Sequence, residues 1–141
     1  MKIIRIVLLV LIAIMGILIF VNKNTSESSD KIITLKYKNK TVNISYNILN
    51  KMKNYNITDS KGKKYTGIKL QELLQTITKN RINKVVLLSK DGIKIDLEAS
   101  EIPNSYLVQQ IKNGERYYRL AIPSDEFKQR WLKYIVKISI E

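Results

Sequence analysis

Residues 65–97 constrain the fold more than any other stretch of the chain. They read Y-T-G-I-K-L-Q-E-L-L, then K-V-V-L-L-S, then K-D-G and I-K-I-D-L. The pattern predicts a helix opening at Gly67 whose apolar positions Leu70, Leu73, Leu74 and Ile77 form one stripe at i, i+3, i+4 and i+7. Lys79 and Arg81 fall in and just past its last turn, and Asn80 suits a left-handed stop. Residues 85–88 are apolar at every position, which predicts a strand covered on both faces. Asp91-Gly92 is a strong hairpin signal, and Ile93, Ile95 and Leu97 then alternate with Lys94 and Asp96. A helix, a covered strand and a hairpin in succession give the fold a nucleus.

The flanking sequence adds short alternating runs. Residues 31–45 read as a hairpin turning at Asn39-Lys40, and Ser45 can cap a short helix that buries Leu49 and Met52. Residues 55–66 read as a second hairpin or tight loop. Residues 106–111 and 117–122 flank the turn dipeptide Asn113-Gly114, and Pro123 ends the second of them. Ser124 can cap one helical turn reaching Arg130. Residues 131–140 alternate as a last strand, with Leu132, Tyr134, Val136, Ile138 and Ile140 on one side. Short strands with two or three short helices predict an α+β fold of mixed, mostly antiparallel sheets or a partial barrel, preceded by one hydrophobic helix.

That first helix is the run at residues 6–21, which follows a short basic start containing Lys2 and Arg5. At about 1.5 Å per residue the run spans ~24 Å, against a hydrocarbon core of ~30 Å. Residues 1–21 are therefore expected to be a single-pass membrane anchor or a signal peptide, with Ser26-Glu27-Ser28 as the one fair cleavage site. Lysines follow the run, which argues against export, yet a long folded domain crosses largely regardless of such charge. The uncleaved anchor with an extracytoplasmic domain is favoured, and secretion after cleavage is the alternative. Residues 22–30 are polar throughout and read as a flexible linker, leaving residues 31–141 as one domain.

The chain has no Cys and no His. That excludes disulfides, Cys/His zinc sites, Cys or His nucleophiles and a Ser-His-Asp triad. The formal charge is +13, and the chain stays strongly basic without Lys2 and Arg5. Such a balance is ordinary solvated surface, or an attraction to lipid headgroups or anionic polymer. Asp91, Asp96, Glu98 and Glu101 match no calcium loop and read as a solvated face. Trp131 and Tyr134 are expected in the core. Tyr117 and Tyr118 point to opposite sides of one strand, so one of them should be exposed beside Arg116 and Arg119.

Four motifs in order resemble a known family. They are Tyr65-Thr66-Gly67-Ile68-Lys69-Leu70 with Leu73-Leu74, Val85-Val86-Leu87 with Asp91-Gly92, Tyr118-Arg119-Leu120-Ala121-Ile122-Pro123, and Trp131-Leu132-Lys133 with Val136-Lys137-Ile138. The order resembles the oxidoreductase molybdopterin-binding domain of the sulfite oxidase fold, across most of residues 31–140. The resemblance implies that fold and, in the family's enzymes, molybdenum held by a dithiolene cofactor and one Cys thiolate. A soft, anionic thiolate suits that centre, and the chain has no Cys to supply one. Ile57, Thr58, Asp59 and Ser60 stand where the ligand would be expected, and the family's cofactor-contacting His has no counterpart. Arg119, Arg130 and Lys133 match segments that lie near the pterin phosphate in the family.

The functional expectation is therefore a membrane-tethered binding or scaffold module without a cofactor, with no catalytic and no metal-binding residue assigned. Its candidate contacts are Tyr118, Arg119, Arg130 and Lys133, and its expected partner is a protein. One alternative is a molybdopterin oxidoreductase with Ser60 or Asp59 as ligand, molybdopterin being implied by the resemblance alone. Another is a basic domain that binds anionic cell-surface polymer or lipid. Nucleic acid is not expected, since no reader motif is present.

Overall fold

Alternating apolar residues commit about half of the domain to strands. The computed structural model describes residues 31–141. In order they form β1 (Lys31–Tyr37), β2 (Lys40–Ser45), α1 (Tyr46–Asn50), β3 (Asn54–Thr58), β4 (Lys64–Lys69) and α2 (Leu70–Leu74). Then come β5 (Lys84–Ser89), β6 (Lys94–Glu98), a 3-10 turn (Ile102–Asn104), β7 (Tyr106–Lys112), β8 (Glu115–Ala121) and β9 (Ile135–Ile140). Strand takes 49% of these residues and helix 12%, in two sheets, so the expected α+β class is corrected to mostly β. Both α-helices are five residues long, too short to form a layer of their own. The apolar leader and the polar linker, residues 1–30, lie outside the described residues. Among the described residues no helix is long and apolar enough to cross a membrane.

The first sheet has the order β2-β1-β9-β5-β6, with β1 parallel to β9 and β5 antiparallel to both β9 and β6. The second has the order β3-β4-β7-β8 and is antiparallel throughout. One apolar cluster draws on both, from Ile33, Leu35 and Leu87 to Ile68, Leu107 and Leu120.

The helix expected at Gly67 opens three residues later. Gly67 lies inside β4, paired with Tyr55 on one side and Val108 on the other. The ladder holds the chain extended up to Lys69, so only Leu70 to Leu74 is left to coil. Leu70, Leu73 and Leu74 are fully buried, as their stripe requires, whereas Ile77 falls in the turns beyond. Asn80 is not left-handed; among the described non-glycine residues only Lys38, Asn113, Lys128 and Tyr134 are. The first hairpin accordingly turns at Lys38-Asn39, one residue before the expected place. β5 is fully covered on one face only: Val85 and Leu87 are buried, and Val86 and Leu88 half-buried.

The C-terminal part departs most from expectation. Residues 124–130 form successive turns, not a helical turn, because Lys128 takes a φ of 56°. The last strand starts at Ile135 because Tyr134 takes a φ of 53° and the β5–β9 register shifts at Leu88/Ser89. Within β9 the expected inward phase holds at Ile138 and Ile140, with Ile135 buried out of phase. Residues 123–134 are thus an irregular strap.

Candidate functional site, a lysine–tyrosine sheet face

Register assigns each side chain of the second sheet to a face. Tyr55, Tyr65, Tyr106, Tyr117 and Arg119 share one; Asn54, Thr66, Gln109 and Tyr118 share the other. The strap crosses the first of these. Trp131 meets Tyr65 edge-on with ring centres 5.2 Å apart, and Tyr134 stacks on Tyr117 at 4.1 Å. The Arg119 guanidinium lies 5.3 Å from the Trp131 ring centre, and its Nε donates to the Trp131 carbonyl at 3.3 Å. Trp131 Nε1 donates to the Ile122 carbonyl at 2.9 Å, so the buried indole is satisfied.

Two ionic clamps hold the strap. The Asp59 side chain is fully buried and pairs with Lys128. It also accepts from the Lys61 and Lys63 backbone N–H groups at 2.9 and 2.8 Å and from the Tyr65 hydroxyl at 3.3 Å. Lys128 Nζ donates to the Tyr65 hydroxyl at 2.7 Å and sits 4.8 Å from the Trp131 ring centre. Arg130 grips Asp125 through Nε at 3.1 Å and Nη2 at 2.6 Å, and reaches Glu101 through Nη1 at 2.5 Å.

The Lys128 ammonium, helped by the two backbone donors, pulls the Asp59 carboxyl down to about 2. Asp59 in turn raises Lys128, with Tyr65 adding to the effect. Glu101 is lowered first by the Glu98 backbone N–H and then by Arg130. A carboxylate held ionised and an ammonium held protonated exchange no proton near neutral pH, so the cluster works as a clamp and not as an acid–base pair.

The same contacts decide the fit to molybdenum. Both Asp59 oxygens are engaged by four donors, and the Ser60 hydroxyl donates to the Glu126 carbonyl at 3.0 Å. Neither residue fits as a ligand, and the chain has no Cys to supply a thiolate. Among the described residues no three acidic, His or Cys side chains are grouped to hold a metal ion. Of the carboxylates read as a solvated face, Asp96 pairs with Lys84 at 2.8 Å and Glu101 pairs with Arg130 of the strap.

The four expected contact residues do not form one patch. Tyr118 lies on the opposite face from Arg119 and is buried. The expected exposure of one tyrosine is corrected, since Tyr117 is 8% and Tyr118 2% exposed. The strap covers the first and the core takes the second. Arg119 and Arg130 are half-buried on the strap side with partners, and Lys133 stands exposed in the strap. Trp131 is in the core as expected, and Tyr134 is half-buried.

Lysines without a carboxylate partner among the described residues stand instead at the starts of β3 and β4 and at the end of β4. Lys53 and Lys69 Nζ each lie 4.9 Å from the centre of the Tyr55 ring, and Lys63 Nζ lies 5.4 Å from that of Tyr65. None of the three forms a salt bridge among the described residues, and Glu72 is engaged by the Tyr55 hydroxyl. The sequence carries the signal as Lys-x-Tyr at 53–55 and again at 63–65. Spacing of two on a strand puts lysine and ring on one face. No family model matches the chain, and no curated protein matches it.

Proposed function

We propose that the domain is a binding module, held at the outer face of a membrane by the apolar leader, and that it takes an anionic cell-surface polymer on its lysine–tyrosine face. The observation that carries this reading is the trio Lys53, Lys63 and Lys69, laid on tyrosine rings and without carboxylate partners among the described residues. A cation backed by a ring stays positioned while its charge remains available to a ligand. The chain's +13 charge draws a polyanion towards this surface over a longer range. Non-catalytic binding also suits a site whose acids are engaged in clamps.

The test is co-sedimentation of the full chain, in detergent, with a glycerol-phosphate polymer and with neutral dextran. Binding to the polyanion alone is expected, and it should weaken as the screening length falls from ~30 Å at 0.01 M salt to ~8 Å at 0.15 M. The triple variant Lys53→Glu, Lys63→Glu, Lys69→Glu should abolish it. Binding that ignores salt, or that survives the triple variant, refutes the reading.

A further inference from the structure

The other face of the second sheet holds a separate groove of about 320 Å³. Its polar lining is Asn50, Asn54, Thr66, Gln109 and Tyr118, and no charged side chain takes part. Leu49, Ile68 and Leu107 supply an apolar side, and the Gly67 backbone lies at the wall.

Tyr118 is the unusual member. Its ring is packed beside Tyr46 with centres 6.1 Å apart, and the residue is only 2% exposed. A buried tyrosine ordinarily finds a partner for its hydroxyl. The Tyr118 hydroxyl has none among the described residues; Tyr117, the preceding residue, does, on Gln110 at 3.0 Å. Yet no described side-chain N or O is both sealed from solvent and unpaired. The Tyr118 hydroxyl is therefore not sealed from solvent, and the residue lines the groove. Burial pushes the phenol up to about 12, so it keeps its proton to donate.

We propose that this groove binds one ring of an uncharged, polyhydroxylated ligand, a saccharide unit, with Tyr118 as a buried hydrogen-bonding group on its floor. The lining selects for that chemistry. Three amides and two hydroxyls offer donors and acceptors together, which matches ligand hydroxyls that both give and take hydrogen bonds. An ion would meet no countercharge, and an aliphatic chain would leave the amides unpaired. The apolar side can take the C–H face of a sugar ring, and the volume lies at the small end of ligand pockets. The groove lies on the opposite face from the anionic-polymer surface, so neither proposal depends on the other.

The experiment is a ¹H–¹⁵N NMR titration of the full chain in detergent micelles with glucose, N-acetylglucosamine and its oligomers. Saturable shifts at the backbone amides of Asn54, Thr66 and Gln109 are expected with at least one of them, unchanged at high salt. Tyr118→Phe removes one oxygen and keeps the ring; it should leave the thermal midpoint in place and weaken binding roughly fivefold to tenfold. Thr66→Val, on an exposed strand position, should weaken it comparably. No saturable response to any of these saccharides overturns the proposal. So does affinity unchanged in both variants, or a response that salt abolishes, which would belong to the lysine face.

Discussion

Replacing Gly67 by alanine tests the packing of the second sheet most directly. Gly67 sits in the middle of β4 between Tyr55 and Val108, and both neighbours are fixed by ladder bonds. A Cβ there would meet the Leu107 carbonyl oxygen at 2.9 Å, Val108 Cγ2 at 3.0 Å and Ile57 Cδ1 at 3.1 Å. Relaxed contacts between carbons lie at about 3.5–4.0 Å, so the methyl group intrudes by roughly half an ångström. The oxygen belongs to the adjoining backbone and cannot retreat without loosening the pairing of Ile68 with Leu107. Val108 and Ile57 are both 4% exposed and have little room to swing. Overpacking of this kind costs about 1–3 kcal/mol, and loss of glycine's unfolded-state freedom returns about 0.4–1 kcal/mol. The net destabilisation is then ~1–2 kcal/mol, and in a domain of this size the thermal midpoint should drop by roughly 4–8 °C. Far-UV circular dichroism melts of the full chain and of Gly67→Ala measure it. A midpoint equal to or above that of the parent would show that β4 does not approach β7 as closely as described.

Acid should release the strap through Asp59. Its carboxyl stands at about 2 when folded, against an ordinary 3.8, so the stability it contributes is complete above about 4 and lost as pH falls towards 2. The fluorescence of Trp131, the single tryptophan, should report that transition, and Asp59→Asn should destabilise the domain at neutral pH while flattening its pH dependence in this window; an unchanged acid profile refutes the clamp. Trp131→Ala removes the 4%-exposed ring under Lys128 and Arg119. It should cost ~3–5 kcal/mol in urea unfolding followed by circular dichroism, and a cost below ~1 kcal/mol would mean that the strap is not packed on the sheet.

Local signals in the sequence were reliable where the chain itself sets the geometry. Asn113-Gly114 announces its hairpin because both residues take positive φ, 51° and 78°, as that turn demands. The Leu70, Leu73 and Leu74 stripe correctly gives the buried side of α2, but its length was hidden, since pairing of β4 with two distant strands fixes where coiling can begin. The strap was misread because Lys128 and Tyr134 adopt left-handed backbone without being glycine or asparagine. The Ser124 cap then suggests a helical turn running through Lys128, and alternation a strand running through Tyr134. Folding of the strap over the sheet is also what buries Tyr117, a tertiary event that no alternation rule contains. The Asp59–Lys128 pair joins residues far apart in the sequence, and nothing local marks either as the other's partner. The lysines beside Tyr55 and Tyr65 were not singled out from the sequence, although Lys-x-Tyr recurs at 53–55 and 63–65, each lysine standing just before the strand that carries its tyrosine.

The place of β9 governs how the protein comes into being. It follows the other eight strands of the described residues, yet it occupies the middle of the first sheet, between β1 and β5. A nascent chain that has delivered everything before Ile135 holds that sheet as two separate ribbons, β2 with β1 and β5 with β6, neither of which is durable alone. Until the final segment slots in, two inner rows of backbone N–H and C=O groups stay open to pairing with any passing strand. The domain is therefore at its most vulnerable just before completion, and a chaperone that guards it should release it last at β1 and β5.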